Sequence, residues 1–101
     1  MCIRDRYMKY TVDYTSGFKK QHKKMLNQGK DLSKLYNVIE KIANGEELDA
    51  KYQNHRLNDN KMYRDCEECH ITPDWLLIYK VHDNNLILLL FATGSHSDLF
   101  K

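Results

Sequence analysis

The sequence has 101 residues, of which 42% are apolar and 30% are charged, and its formal net charge is +2. These values are typical of one globular domain with a single core, and they exclude a protein that binds polyanions over its whole surface. No apolar run approaches the roughly 18 residues of a membrane-spanning helix, and the N-terminus lacks the apolar segment of a signal peptide. We therefore expect a cytoplasmic protein whose three cysteines are free thiols.

Residues 1–7, MCIRDRY, have neither a capping motif nor a periodic pattern, whereas Met8 has the context of a natural start just before a strand. We expect residues 1–7 to be a non-native or disordered extension, and we expect residues 8–101 to form one domain.

Residues 10–14 alternate and are rich in β-formers, which predicts a first strand. Residues 15–16 supply a helix cap, and apolar residues then recur at helical spacing until Gly29. Asp31 is the predicted cap of a second amphipathic helix that ends at residues 44–45, Asn-Gly. The short break between the two helices predicts an antiparallel helical hairpin.

Three further strands are predicted after an irregular polar segment at 46–60. They cover residues 62–66, 75–81 and 86–93, with a hairpin loop at 82–85. The element order is therefore β-αα-βββ, an α+β domain in which the helical hairpin packs on one face of an antiparallel-dominated sheet. The other face of the sheet is expected to be free as a concave working surface.

The charge is unevenly distributed along the chain, because residues 19–34 of the predicted helical hairpin contain six lysines and one acidic residue. The lysines are Lys19, Lys20, Lys23, Lys24, Lys30 and Lys34. Such a surface is a candidate contact for a phosphate backbone or an acidic partner, and an ordinary solvated helix face explains it about equally well.

Residues 66–70, Cys-Glu-Glu-Cys-His, match the C-x-x-C-H pattern of covalent haem attachment. No export signal accompanies this pattern and its surroundings are typical of a strand, which argues against haem. A zinc site lacks a second pair of ligands at the usual spacing. The favoured interpretation is that Cys69 is a small buried residue at a strand edge.

Three of the five histidines, His55, His70 and His96, lie outside the apolar patterns and next to predicted strand ends. The other two, His22 on the apolar side of the first helix and His82 in the hairpin loop, are interpreted as structural and solvated residues.

The predicted topology brings some of these side chains together. In a three-stranded antiparallel unit, the start of the second strand and the end of the third lie at the same end of the sheet. Asp74 and Trp75 are therefore expected near His96, with Phe100 close by.

Imidazole gives and takes protons near neutrality, so a pair of histidines can act as base and acid in one reaction. RNA carries its own nucleophile, the 2′-OH, and its cleavage needs a base, an acid for the leaving 5′-oxygen and a cation for the phosphorane. Trp75 and Phe100 offer aromatic faces on which bases can stack. A three-histidine zinc or manganese site in a hydrolase is the competing use of the same residues.

Three segments carry a resemblance to a known family: ECHITPDWLLIYK at 68–80, NHRL at 54–57 and ATGSHSDLF at 92–100. Together they resemble the YafQ branch of the RelE/ParE toxin superfamily, over Met8 to Phe100. The resemblance implies a RelE-like fold and a toxin of a type II toxin–antitoxin pair that cleaves mRNA on the ribosome. It also implies no cofactor, and as partners the ribosome, mRNA and a cognate antitoxin, expected to be of the ribbon-helix-helix type.

The family pattern further implies that His55, His70, Asp74 and His96 form a catalytic set that works without a metal, through 2′-OH attack and a 2′,3′-cyclic phosphate. Within this set we assign His96 as the acid, His70 as the base with Asp74 orienting it, and His55 as the residue that holds the scissile phosphate.

Trp75 and Phe100 would shape the pocket for mRNA, and the further candidates for RNA binding are Arg56, Arg64 and Lys80. Members of the family often have an Arg where this chain has Ala92, so either the phosphorane loses a cation or one of these three residues supplies it. The alternative is a non-catalytic, ParE-like protein-binding toxin or an inactive relative.

Overall fold

The computed structural model describes residues 9–57, 63 and 65–99. The predicted extension at 1–7 and two site candidates, Arg64 and Phe100, lie outside the described residues. The elements are β1 (Thr11–Tyr14), α1 (Ser16–Asn27), α2 (Ser33–Ala43), a 3-10 helix (Ala50–Tyr52), β2 (His55–Arg56), β3 (Glu67–Thr72), β4 (Trp75–His82), β5 (Ile87–Gly94) and α3 (His96–Leu99). No helix within the described part of the chain is long and apolar enough to cross a membrane.

The five strands form one sheet in the order β1-β5-β4-β3-β2. β1 runs parallel to β5, and the other three neighbouring pairs are antiparallel. This arrangement confirms the predicted α+β class and the antiparallel-dominated sheet. One strand, β2, lies in the segment predicted to be irregular, and it pairs with the edge of β3 through two residues only, His55 and Arg56.

The helical hairpin forms because both helices have local start and stop signals. The Oγ1 of Thr15 accepts a hydrogen bond from the Phe18 N–H at 3.1 Å, which satisfies one of the free donors at the start of α1. After α1, Gly29 takes a left-handed φ of 73°, a conformation that glycine adopts without a Cβ clash. The N-cap of α2 is Leu32 and not the predicted Asp31. The Asp31 carboxylate still accepts from the Ser33 N–H at 3.0 Å, which satisfies one free donor at the start of the helix.

The main core lies between the helical hairpin and one face of the sheet, which we call the helix face. It includes the fully buried side chains Phe18, Leu35, Ile39, Leu77, Leu88 and Leu90. Burial of each such side chain contributes about 1.5–3 kcal/mol of transfer free energy, so this layer carries most of the stability.

The opposite face of the sheet, which we call the site face, is only partly open. A second buried cluster lies on it, formed by Tyr63, Cys66, Leu76, Ile78, Ala92 and Leu99. α3 folds onto this face because Leu99 packs in the cluster and its carbonyl accepts a hydrogen bond from the Tyr63 hydroxyl at 3.1 Å. The free working surface is therefore smaller than expected and lies at the β2–β3 edge.

The strand predicted at 62–66 is wrong in position, because the strand of this region is β3 and begins at Glu67. Tyr63 and Asp65 lie in turns. Asp65 has a left-handed φ of 62°, and a left-handed residue does not continue an extended strand. The shift places the segment from Glu68 to His70 inside a strand, whereas the prediction places it between two strands.

Candidate active site

Two of the predicted histidines meet at the edge of the sheet. His55 in β2 lies directly opposite Glu68 in β3, and His70 follows two residues later in β3. Cross-strand partners and residues two apart on one strand share a face, so the three side chains project together on the site face. The centroids of the two imidazole rings are 6.4 Å apart.

Glu68 is the residue that joins the two rings. Its Oε1 lies 3.3 Å from the Nε2 of His70 and 3.7 Å from the Nε2 of His55. The glutamate is 5% exposed, and a buried carboxylate is retained only where hydrogen-bond donors or positive charges surround it. The Nε2 of His70 is close enough to fill that role, and the Nε2 of His55 adds a positive charge when that ring is protonated. The side chains of His55 (51% exposed) and His70 (22% exposed) stay within reach of a substrate.

Sequence reasoning missed Glu68 because it placed the strand too early. The available signal was the alternation of Glu68 and His70 about a buried Cys69, which is the period of a strand with one polar face.

The His55 ring is held in one orientation by the backbone. Its Nδ1 lies 2.9 Å from the carbonyl oxygen of Gln53, which can only accept, so Nδ1 carries a proton. The other ring nitrogen, Nε2, lies 3.7 Å from the Oε1 of Glu68. The carbonyl is positioned for this contact because Gln53 takes a left-handed φ of 48° at the end of the 3-10 helix.

The third histidine, His96, follows β5 at the same end of the sheet as His70, two strands away. His70 pairs with Leu76 in β4, and Leu76 pairs with Gly94 in β5. Since neighbouring strands are about 4.8 Å apart, Gly94 lies about 10 Å from His70, and the exposed His96 follows two residues later at the start of α3. The predicted meeting of the start of β4 with the end of β5 is confirmed.

The carboxylate that lies beside His70 is that of Glu68 and not that of Asp74, the residue predicted to orient the ring. Asp74 is exposed in the turn between β3 and β4. Within the described part of the chain, the ion pair recorded for His70 is with Glu68. Pro73 and Asp74 form the turn itself, whereas His70 lies before the irregular pairing between His70 and Thr72, so the two side chains leave the backbone at different places.

Trp75 is a core residue, which contradicts its predicted role in stacking bases. It is 3% exposed and belongs to the main core on the helix face. Its indole N–H donates to the Oγ1 of Thr93 at 2.9 Å, and the Lys30 ammonium lies 4.3 Å from the ring centroid. The residue therefore presents no free ring face on the side that carries His55 and His70.

The described cations lie around the site and not within it. Arg56 is exposed, and its guanidinium lies 3.7 Å from the Asp65 carboxylate. Lys80 is half-buried on the site face near Cys66; burial raises the pKa of the Cys66 thiol, and the Lys80 ammonium opposes that shift. Ala92 stands where the resemblance implies an Arg, and it is buried. It pairs with Ile78 in β4, and Ile78 pairs with Glu68 in β3.

The cysteines of the C-x-x-C-H pattern are both buried free thiols. Burial raises the pKa of the Cys69 thiol to about 12, with the nearby Glu68 and Glu67 carboxylates adding to the effect. A thiol that stays protonated is a poor metal ligand, because metals bind the thiolate. Across residues 9–57, 63 and 65–99, no group of three or more His, Cys, Asp or Glu side chains is arranged to hold a metal ion.

Comparison with known proteins gives a consistent picture. Residues 10–101 match the family described as "Bacterial toxin of type II toxin-antitoxin system, YafQ". The chain is 38% identical over 91 residues to the mRNA interferase toxin YafQ of Escherichia coli strain B / BL21-DE3, and 37% identical to that of strain K12. Each alignment covers 88% of this chain and 94% of the relative.

Solved structures agree with the sequence comparison. A metal-bound toxin from Helicobacter pylori superposes with a TM-score of 0.82 at 36% identity, covering 90% of this chain and 99% of the other. YafQ in the E. coli DinJ-YafQ toxin–antitoxin complex gives a TM-score of 0.80 at 29% identity, covering 93% and 100% of the two chains.

Proposed function

The chain belongs to the YafQ family of toxins of bacterial type II toxin–antitoxin systems, and from this premise we propose that it is a ribosome-dependent mRNA endonuclease that uses its own histidines as acid and base. The observation that carries the proposal is the buried Glu68 carboxylate placed between the Nε2 atoms of His55 and His70. A histidine with a carboxylate behind it and solvent in front of it suits proton transfer to and from a bound substrate.

The proposed reaction needs no external nucleophile. A histidine base takes the proton of the RNA 2′-OH, the 2′-oxygen forms a bond to phosphorus, and the bond from phosphorus to the 5′-oxygen breaks. A histidine acid gives a proton to that leaving oxygen. The products are a 2′,3′-cyclic phosphate and a free 5′-hydroxyl, so protons and electrons balance without a metal or an oxidant.

Within this scheme we assign His70 as the base and Glu68 as the positioning residue behind it. The Glu68 carboxylate fixes the His70 ring and attracts the positive charge that develops there when the ring accepts the proton. His55 holds the scissile phosphate, and His96 at the start of α3 gives the proton to the leaving oxygen. Asp74 stays a predicted member of the set.

The phosphorane needs a cation, and the family position for it is Ala92 in this chain. Arg56 is one proposed substitute: it adjoins His55 in β2 and its side chain is 63% exposed, although successive strand residues leave the backbone on opposite faces, so its guanidinium has to reach round the sheet edge. Lys80 on the site face is the second candidate, and Arg64 stays a prediction from sequence.

The proposed partners follow from the same premise. The toxin would act in the cytoplasm on mRNA bound to the ribosome and would be neutralised by a cognate antitoxin of the ribbon-helix-helix type. The solved complex of E. coli YafQ with DinJ supports the antitoxin. The exposed lysines of α1, which are Lys19, Lys20, Lys23 and Lys24, supply a positive surface for ribosomal RNA or for an acidic antitoxin segment.

The test is to strip the purified protein with EDTA, remove the chelator, add the protein to translating ribosomes in their magnesium buffer, and map the mRNA ends. We expect the stripped protein to cleave like untreated protein, with 2′,3′-cyclic phosphate ends. The variant His96→Ala should abolish cleavage and relieve growth inhibition, while His82→Ala, on the same face at the far end of β4, should cleave like wild type. Full toxicity of His96→Ala contradicts the assignment of the acid.

Two observations favour other readings, and the same assay separates them. The missing Arg at Ala92 favours a toxin-fold protein that binds a target without cutting RNA, and absence of cleavage under every condition supports it. The metal-bound state of the H. pylori toxin favours a metal-dependent hydrolase, and cleavage that is lost after the protein is stripped of metal and recovered when zinc or manganese is added back supports that reading.

A further inference from the structure

A cavity of about 420 Å³ lies beside the candidate site, on the edge of the sheet where β2 no longer covers β3. Its walls come from α2, from the end of the 3-10 helix and from the last residues of β3. The residues used below are Lys34, Lys51, Tyr52, Gln53 and His70. Its volume falls within the roughly 300–1,000 Å³ of small-ligand pockets, and a mononucleotide unit of RNA is of this size class.

The cavity has a positive lining. Lys34 and Lys51 are exposed, and the described lining contains no Asp or Glu; the acidic residue that interacts with Lys34, Asp31, lies outside it. A third ammonium, that of Lys41, lies 5.8 Å from the ring centroid of Tyr52, whose ring forms part of the wall. Several like charges around one concave surface concentrate a positive potential there.

A second cavity on the other side of the same loop shows that this charge is local. It measures about 570 Å³, shares Gln53 with the first, and is lined by four acidic residues without a Lys or Arg among its described lining residues. The acids are Glu46, Glu47, Asp49 and Glu67. A polyanion that approaches this edge is therefore attracted to the first cavity and repelled from the second.

Two residues of the candidate site, His70 and Gln53, also line the positive cavity. His70 lines the cavity, and its Nε2 is the atom that lies 3.3 Å from Glu68. Gln53 also lines the cavity, and its carbonyl oxygen holds the Nδ1 of His55. A chain of RNA whose scissile phosphate lies at these two histidines therefore has its neighbouring nucleotide at the mouth of the cavity.

We propose that this cavity is a second RNA subsite, in which Lys34 and Lys51 bind the phosphate of a nucleotide adjacent to the scissile one. The inference rests on the proposed function, which supplies the RNA substrate, and it adds a binding site that the family match does not assign. Its role is to hold the strand in register with His55 and His70, so it contributes to substrate binding and leaves the proton transfers unchanged.

The experiment measures binding and cleavage separately. The double variant Lys34→Gln/Lys51→Gln is compared with Lys9→Gln, an exposed lysine at the edge of the acidic cavity, where its side chain contacts Gly45. The probe is a short fluorescein-labelled oligoribonucleotide, with Kd measured by anisotropy over a series of salt concentrations. Each phosphate contact of a single strand contributes about 0.7 to the slope of log Kd against log salt, so the double variant should lose about 1.4 and Lys9→Gln nothing.

On translating ribosomes, the double variant should raise KM for mRNA cleavage and keep kcat within about twofold, since uniform binding is lost and the chemistry is intact. An unchanged salt slope in the double variant overturns the inference even if wild-type protein cleaves mRNA. If wild-type protein does not cleave but the double variant still loses the slope, the proposed function fails and the subsite stands. Loss of antitoxin affinity with unchanged RNA binding assigns the cavity to a protein partner and also overturns it.

Discussion

The two faces of the central sheet differ in what they carry: the helix face carries the main core, and the site face carries the candidate active site. On the helix face, Trp75, Leu77 and Tyr79 alternate into a continuous apolar core against the helical hairpin. On the site face, the neighbouring strand β3 presents Glu68 and His70, beside a smaller buried cluster. The same pair of strands thus supplies core side chains on one face and the groups proposed for proton transfer on the other, because successive residues of a strand point to opposite faces.

The comparison also explains why the site can be rigid and reactive at once. β3 is clamped between β4 and the short β2, so the positions of Glu68 and His55 are fixed by backbone pairing. Sites on regular elements hold their geometry better than sites on loops. A substitution on the helix face should therefore change stability, and one on the site face should change the rate of cleavage.

The largest expected effect is on the site face. The variant His70→Gln keeps a polar side chain of similar size and removes the ring that exchanges protons, so cleavage should fall by about 10²–10⁴-fold with little change in Tm. The measurement is mRNA cleavage on translating ribosomes alongside thermal unfolding. The control is His82→Gln, and equal cleavage by His70→Gln and wild type would contradict the division of the two faces.

The matching change on the helix face is Leu77→Ala. Leu77 is fully buried between β3, β5 and the helices, so the truncation should cost about 2–5 kcal/mol of unfolding free energy in urea. Leu86→Ala, at a residue that is 47% exposed, is the control and should be near neutral. Folded Leu77→Ala at low temperature should retain kcat, and a loss of kcat comparable to that of His70→Gln would show that the faces are not separable.

A smaller effect is expected for Glu68→Gln, which removes the charge behind both imidazoles and keeps the shape of the side chain. Hydrogen bonds to charged groups contribute about 1.5–3 kcal/mol, so kcat should fall by about 10–100-fold if Glu68 stabilises the charge that develops on His70. Glu68→Asp should recover part of the rate. If Glu68→Gln lowers stability alone and kcat is unchanged, the glutamate is a structural partner of the two rings.

A hydrogen bond on the helix face supports the site, and its loss should lower the free energy of unfolding by about 1 kcal/mol. The Tyr79 hydroxyl donates to the Oδ1 of Asn54 at 2.6 Å, and Asn54 precedes His55 in the chain. Tyr79→Phe removes this bond and should cost about 1 kcal/mol of stability with a fall in cleavage smaller than that of Glu68→Gln. Tyr14→Phe, at a residue that is 46% exposed, serves as the control, and identical behaviour of the two variants would contradict the link.

The smallest expected effect is on the pH dependence of folding stability, and it comes from a histidine in α1. His22 is half-buried in α1, its Nε2 lies 2.7 Å from the Tyr36 hydroxyl, and burial lowers its pKa. The unfolded chain then binds the proton more readily than the folded chain, so His22 favours folding above about pH 6.5 and this contribution is lost as the pH falls below that value.

Unfolding in urea at about pH 7.5 and at about pH 5.5 checks the prediction, with His22→Gln as the comparison. Wild type should lose more stability than the variant between the two pH values. An equal loss in both proteins would show that His22 titrates as an exposed imidazole does, without help from its burial.

Prediction from the sequence was most accurate for elements whose signals lie within a few residues of each other. The hairpin of α1 and α2 was predicted closely, because the Thr15 cap, Gly29 and the apolar period are all encoded within a few residues. β4 and β5 were placed to within a residue or two, since their apolar runs are long. Residues 62–66 were misjudged because the left-handed backbone at Asp65, which delays the start of β3, has no strong local signal in an Asp.

For the site, the residue types were enough to select His55, His70 and His96, and their segments were enough to recognise the family that the comparisons confirmed. The residue types were not enough to choose between neighbouring residues. Trp75 and Asp74 stand beside each other in the sequence in a polar, strand-opening context, and both were assigned to the mRNA site. In the structure Trp75 faces the helices and donates to Thr93, while the carboxylate at His70 is Glu68.

What the sequence determined by itself was therefore the fold class, the helical hairpin, the family and the presence of histidines suited to acid–base chemistry. What only the tertiary structure decided was which carboxylate serves which ring, which aromatic side chain is buried, and where the positive cavity opens beside His70. The physical reason is that the face of a strand residue depends on strand boundaries and register. A shift of one residue exchanges the two faces, so contacts across β2, β3 and β4 are fixed only when the whole sheet is assembled.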